Sequence, residues 1–319
     1  MKIRMLSALV ALLMPFAAHA QAPYPNQAIK IIVPYAPGGL PDTTARIVGL
    51  KLQERIGQSV VIENRPGGVG SVAVNALTQA PADGYTLMVT DGSTVTINPA
   101  LFKSLSYGMK DVVAVSLLAR APLFLAVNTT IPVSTLKEFI DYVKAHPGEV
   151  NYGSSGIGSA HHISMEAMKS ALGLNLTHVP YRGTGQSVPA LLGGHVQVLF
   201  SAYPSLAAAI QDNRVKLLAT NGAQPSPQAP DVPPIASVIP GYDLATMVGV
   251  FARAGTPPAI VQKIAAEAIA AVQMPETRKQ LENAGIEPAG GGPDAFAKYL
   301  AAEAAHVGKV IDTAGIKVE

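Results

Sequence analysis

Short apolar runs recur along this chain, each closed by glycine or proline and followed by apolar positions three or four residues apart. Ile29–Val33 is such a run, and Ala45, Val48, Leu52 and Ile56 then fall at helical spacing before Gly57. This pattern predicts a strand and then a helix over 43–56, with Asp42 as its N-cap. Val60–Glu63 and Tyr85–Val89 read as further strands, with a small-residue helix from Ser71 to Ala80 between them. Such βαβαβ alternation predicts a parallel sheet whose strand C-termini carry the ligand-facing loops.

The rhythm then restarts. Leu123–Val127 reads as a strand, Ser134 as the cap of a helix to Ala145, and Val150–Tyr152 as a strand running into Gly153-Ser-Ser-Gly-Ile-Gly-Ser159. A helix from His162 to Leu172 and strands at 176–179, 196–200 and 215–219 follow, until the proline-rich stretch 225–240 interrupts them. Met247–Ala252 is a last strand, while Pro258–Val272 and Pro293–Asp312 read as long amphipathic helices. Two βα units, the second inserted before a helical C-terminal third, predict an α/β fold of two lobes with a cleft between them. The expected division is 21–121 plus 246–319 for one lobe and 122–245 for the other. A single large doubly wound sheet is the alternative.

Composition changes this picture mainly at the N-terminus. Lys2 and Arg4 precede an apolar run from Met5 to Ala18, and Ala18-His19-Ala20 is a small-residue cleavage site, so residues 1–20 have the layout of a secretory signal peptide. Pro15 interrupts the run, which is too short to span a bilayer. Removing Lys2 and Arg4 from 23 cations leaves 21 against 21 acids, so the expected mature chain is formally neutral. No basic run suggests nucleic acid or an acidic membrane surface. The chain has no cysteine, which excludes disulfides and a lipid anchor on a cysteine. The expectation is a soluble periplasmic protein, a monomer without cofactor or metal.

The candidate chemistry lies in the loops after the strands. Pro37-Gly38-Gly39-Leu40-Pro41-Asp42 brings backbone amides to a helix start, which suits a carboxylate or phosphate, although an ordinary βα turn would look the same. Gly68-Val-Gly70-Ser-Val-Ala73 matches a dinucleotide fingerprint, but a lone match in glycine- and alanine-rich sequence is weak, and an exported protein meets no nicotinamide pool. Ser154, Ser155 and Ser159 beside His161 and His162 invite a serine-hydrolase reading without any G-x-S-x-G elbow. Adjacent histidines point to different helix faces, which is poor metal geometry. Tyr181-Arg-Gly183-Thr184-Gly185 and Thr90-Asp-Gly-Ser93-Thr94 also follow strands. Four such loops, two per lobe, would frame a small polar cleft.

Taken in order, several segments resemble a known family. They are Ile31-Ile-Val-Pro-Tyr-Ala-Pro-Gly-Gly-Leu-Pro-Asp42, Val60-Val-Ile-Glu-Asn-Arg-Pro-Gly67, Ala82-Asp-Gly-Tyr-Thr-Leu87, Asn151-Tyr-Gly-Ser-Ser-Gly156, His178-Val-Pro-Tyr-Arg-Gly183 and Leu191-Leu-Gly-Gly194. The family is the Bug-type receptors, the extracytoplasmic solute-binding proteins of tripartite tricarboxylate transporters (TctC family). The resemblance implies a two-lobed periplasmic-binding-protein fold of type II-like form, closing on a small organic acid for delivery to membrane transporter subunits. It assigns the ligand grip to Gly38, Gly39, Leu40, Asp42 and Thr43 in one lobe. In the other it assigns Ser154, Ser155, Ser159 and His162, with Gly183 and Thr184 nearby, and Ser93 and Ser201 complete the set. The chain departs from the family at Phe200-Ser-Ala-Tyr-Pro204 and at His161, which leaves room for an aromatic or longer acid in place of citrate. Two alternatives remain at this point, a secreted hydrolase and a receptor acting as the partner of a periplasmic sensor.

Overall fold

The computed structural model describes residues 24–35, 37–102, 104–181 and 183–316, so the expected signal peptide lies outside the described residues. The chain begins with β1 (Ile29–Val33), α1 (Leu40–Ile56), β2 (Val60–Asn64), α2 (Ser71–Gln79), β3 (Thr86–Asp91), α3 (Asn98–Leu101) and β4 (Val112–Ala121). It continues through β5 (Leu123–Asn128), α4 (Leu136–Ala145), β6 (Asn151–Ser154), α5 (Ala160–Leu172), β7 (Thr177–Pro180), α6 (Thr184–Leu192), β8 (Val198–Ala202), α7 (Tyr203–Gln211) and β9 (Val215–Thr220). The last part holds β10 (Thr246–Arg253), α8 (Pro258–Gln273), α9 (Pro275–Asn283), β11 (Glu287–Gly291) and α10 (Pro293–Ala314).

These strands form two sheets, ordered β11-β4-β10-β3-β1-β2 and β7-β6-β8-β5-β9. Each contains three parallel strands followed by an antiparallel one, β10 in the first and β5 in the second. The parallel pairing that the βαβαβ rhythm predicts holds for β2, β1 and β3, and the sheet is extended beyond them by antiparallel strands. β10 returns from the second lobe and enters between β3 and β4 running the opposite way.

Both faces of each sheet are covered, which explains why the central strands read as unbroken apolar runs. Ile29, Ile31 and Val33 of β1 pack with Val48, Ile264 and Ala268 on one face, while Ile32 joins Val74, Phe251 and Phe296 on the other. In the second lobe Leu125, Tyr152 and Phe200 face Phe139 and Met165, and Phe124 and Leu199 face Leu191 and Leu206. Packing is tight where α10 crosses β10: a Cβ on Gly249 would run into the Phe296 ring, with Ser116 O 3.1 Å away. Gly249→Ala should therefore cost about 3 kcal/mol of stability, at the upper end for overpacking, as a lowered urea midpoint would show. An unchanged midpoint would mean that Phe296 has room to move.

The chain passes between the lobes at Pro122 and again between β9 and β10, and one buried residue ties the two passages together. Asn221 Oδ1 accepts from Leu123 N–H at 2.7 Å, and its Nδ2 donates to Leu244 O at 2.7 Å and Ser164 Oγ at 3.0 Å. Its backbone also bonds Leu123 O and Leu244 N–H. The crossings are thus one hydrogen-bonded joint.

Two predicted caps shift by a few residues. The N-cap of α1 is Gly39, not Asp42, because Pro41 without an N–H suits the first turn and starts the helix earlier. Thr135 and not Ser134 caps α4, its side chain accepting Glu138 N–H at 3.1 Å.

Candidate functional site

The loop after β1 is built around Asp42, which is 2% exposed. One carboxylate oxygen accepts Gly38 N–H at 2.8 Å and Arg46 Nε at 3.0 Å, and the other accepts Asn64 Nδ2 at 2.8 Å. Burial opposes the charge on Asp42, but these hydrogen bonds outweigh it and hold the carboxyl below the ordinary aspartate range. Asn64 also donates to Tyr35 O at 2.9 Å, and Tyr35 donates from its hydroxyl to Asp91 Oδ1 at 2.6 Å. The loops after β1, β2 and β3 are in this way one braced unit. Gly38 turns at φ +89, a conformation that favours glycine, and the helix-start residues Gly39 and Leu40 follow, with Thr43 N–H bonded to Gly39 O. Ser93 opens a π-turn, its N–H on Asp91 Oδ1 at 3.0 Å.

In the second lobe the serine loop separates into two kinds of hydroxyl. Ser154 Oγ lies 2.7 Å from His178 Nε2 and accepts Gly156 N–H, while Ser159 caps α5, donating to Gly156 O at 2.7 Å and accepting His162 N–H. Both serve the loop itself. His162 is buried, and its Nδ1 accepts Gly158 N–H at 3.1 Å, so that nitrogen carries no proton. Its ring stacks on His178 at 4.2 Å, and burial first, then His162, pushes the His178 imidazole down to about 4. Hence the lone pair on His162 Nδ1 is committed to the loop backbone.

Ser155 Oγ and Ser201 Oγ are different: both are buried and neither has a hydrogen-bond partner. β6 and β8 are parallel neighbours with Gly153 opposite Leu199, so Ser155, just past the end of β6, and Ser201, near the end of β8, lie at the same edge of the sheet. Next to them α6 begins with Gly183 at φ +124 and no side-chain cap; Gln186 and Ser187 N–H already bond Gly183 O, and the helix start at Thr184 and Gly185 carries the positive end of the helix dipole. His161 Nδ1 is also buried without a partner, and burial alone lowers that imidazole to about 4.

The strand ends of the two lobes face each other. Gly158 lies against Leu101 of the first lobe, and Gly92 and Ser93 share a small cavity with Ala160, Ile163 and Ser164 of α5. Among the described residues no cluster of His, Asp and Glu could hold a metal, and no helix is long and apolar enough to cross a membrane. The sequence pointed to every loop of this set, but nothing in it separated the bracing serines from the free ones. Tyr35, Asn64 and His178, which do the bracing, carry no site signal of their own.

Two α/β lobes whose parallel strands end on a common cleft define a solute-binding protein of the periplasmic-binding-protein fold, which holds its ligand and breaks no bond. The chain belongs to the TctC family, described as "Tripartite tricarboxylate transporter family receptor", whose model matches residues 44–316. It is 30% identical to the protein BugT of Bordetella pertussis over 299 residues, 93% of this chain and 92% of that one. Among solved structures, Rpa4515 of R. palustris with adipate is similar with a TM-score of 0.81 and 33% identity, covering 92% of this chain and 99% of that one. MatC from Rhodopseudomonas palustris with bound malate gives a TM-score of 0.76 and 30% identity, over 90% of this chain and 100% of that one. Receptors of this family are binding proteins, which sets the hydrolase alternative aside.

Proposed function

We propose that this protein is a periplasmic receptor that captures a small organic carboxylate by closing two lobes on it and hands it to membrane subunits of a tripartite tricarboxylate-type transporter. The moving bodies are residues 21–121 with 246–319, and residues 122–245, turning about the joint at Asn221. Ligand binding stabilises the closed form because only that form offers both sets of loops at once.

The observation that carries this reading is the pair of unpartnered hydroxyls, Ser155 and Ser201, beside the uncapped start of α6. Two buried hydroxyls without partners cost free energy unless something outside the chain satisfies them. A carboxylate does so, accepting from hydroxyl and helix-start amide together. Adipate and malate in the solved relatives fit the same chemistry. From the facing lobe the donors are the amides at the start of α1, Gly39 and Leu40, held in place by the Gly38–Asp42 and Thr43–Gly39 bonds, so the grip uses neutral donors instead of an ion pair.

The test is a thermal-shift screen of the refolded protein against mono-, di- and tricarboxylates and aromatic acids. A ligand at about 100 times its Kd adds about 2.7 kcal/mol, or several degrees of Tm. Ser155→Ala should weaken the best hit about tenfold, and adding Ser201→Ala should weaken it further. A hit that both variants bind as well as wild type would remove this pair from the site. No stabilisation by any acid would defeat the carboxylate reading.

A further inference from the structure

Beneath the candidate site lies an acid that the capture of a carboxylate does not use. Glu303, on α10 of the first lobe, accepts Thr96 Oγ1 at 3.1 Å on one oxygen, and its other oxygen presses on Gly92, where a Cβ would lie 2.7 Å from it. The carboxyl borders the small cavity of about 20 Å³, room for roughly one water. The first lobe contributes Ser93 and Thr246 to its wall, and the second contributes Ala160, Ile163 and Ser164 of α5. Both lobes therefore wall the cavity beside the partly buried Glu303.

The surroundings favour a neutral carboxyl. Burial, the largest influence, raises Glu303 to about 7; the Thr96 bond and Arg120 pull it down, and Asp91 and Asp243 push it up. Asp91 is engaged by Tyr35 and by Ser93 N–H, and Arg120 is bound to Asp243 at 2.6 Å with its guanidinium over the Tyr299 ring. His306, further along α10, is lowered by burial first and raised by Asp243. No titratable side chain of α5 lines the cavity. What would change most on opening is thus the exposure of Glu303 to water.

We propose that Glu303 couples lobe closure to proton uptake: with the lobes shut its carboxyl is sealed and protonated, and when they part water reaches it and the proton leaves. This rests on the reading that the lobes close on a ligand. By linkage, a proton taken up on closure tightens binding as pH falls.

Adipate is the first probe, titrated calorimetrically in buffers of different ionisation enthalpy, well above the range where its own carboxyls titrate. Between pH 8 and pH 6 its Kd should fall about tenfold in wild type, with up to one proton taken up per ligand. Glu303→Gln keeps the shape and removes the proton, so its Kd should stay flat and be tighter than wild type at pH 8. A flat wild-type Kd, or a pH response that the Gln variant shares, overturns the proposal. If adipate and malate both fail to bind, that is a failure of the ligand class and not of the coupling. The coupling is then read from the radius of gyration of the unliganded proteins at pH 8, which must be smaller in Glu303→Gln; equal radii overturn it.

Discussion

Replacing His161 by leucine should make the protein resist acid. The imidazole is lowered to about 4 by burial, and its Nδ1 has no hydrogen-bond partner to lose. For a histidine whose folded value is depressed, the cost appears as pH falls. Below about 6.5 the unfolded chain takes up a proton that the folded chain refuses until about 4. Integrated over that window, His161 removes about 3 kcal/mol of stability. The stability difference between wild type and His161→Leu, measured by urea unfolding, should therefore move by about 3 kcal/mol in favour of leucine between pH 7 and pH 4. His178, lowered to about 4, and Glu303, raised to about 7, titrate in the same range but cancel in this difference. A difference that does not vary with pH would place the His161 ring in water.

Asp42→Ala should both destabilise the protein and impair binding. Removing the carboxylate deprives Gly38 N–H, the Asn64 amide and the Arg46 guanidinium of their shared acceptor, a loss of about 2 kcal/mol because the half-exposed Arg46 can turn to water. The loop then no longer presents the helix-start amides in a fixed geometry, so carboxylate affinity should fall more than tenfold. Asp42→Asn keeps the shape and can still accept one hydrogen bond, and should lie between the two. The charge adds a pH signature. Because Asp42 sits below its ordinary range, its contribution is present at neutral pH and is lost in strong acid, as pH falls through the depressed folded value. Calorimetry with the ligand from the carboxylate screen, beside thermal unfolding, reads both effects. If Asp42→Ala binds as wild type does, the loop is held by something other than this hub.

Apolar strands and amphipathic helices were legible because each core strand is buried on both faces and announces itself as an unbroken run. β4 escaped notice for the same reason. Its ten residues join β5 with only Pro122 between them, so two strands in different lobes look like one apolar stretch. β11 has the sequence Glu-Pro-Ala-Gly-Gly, which carries no strand preference, and is recruited by β4 with a register shift between Pro288 and Gly291. The loops of the candidate site could be found because glycine and serine cluster after strands. The division of labour among their hydroxyls could not, since it depends on His178 arriving from β7 and on Gly158 folding back to His162. Glu303 gave no signal, being one acid in an alanine-rich helix whose partner surface belongs to another part of the chain.

The position of β10 also dictates when the molecule can fold. It lies between β3 and β4, so until residues 246–253 have been made the first sheet is two separate pieces, each with a bare edge. The second lobe has no such debt, since β5 to β9 are contiguous in the chain. During synthesis the middle of the protein is thus able to fold first, while the residues on either side of it wait for one another. A chain stopped before residue 246 would carry an intact second lobe tethered to an unzipped first one, with the edges of β3 and β4 open to aggregation.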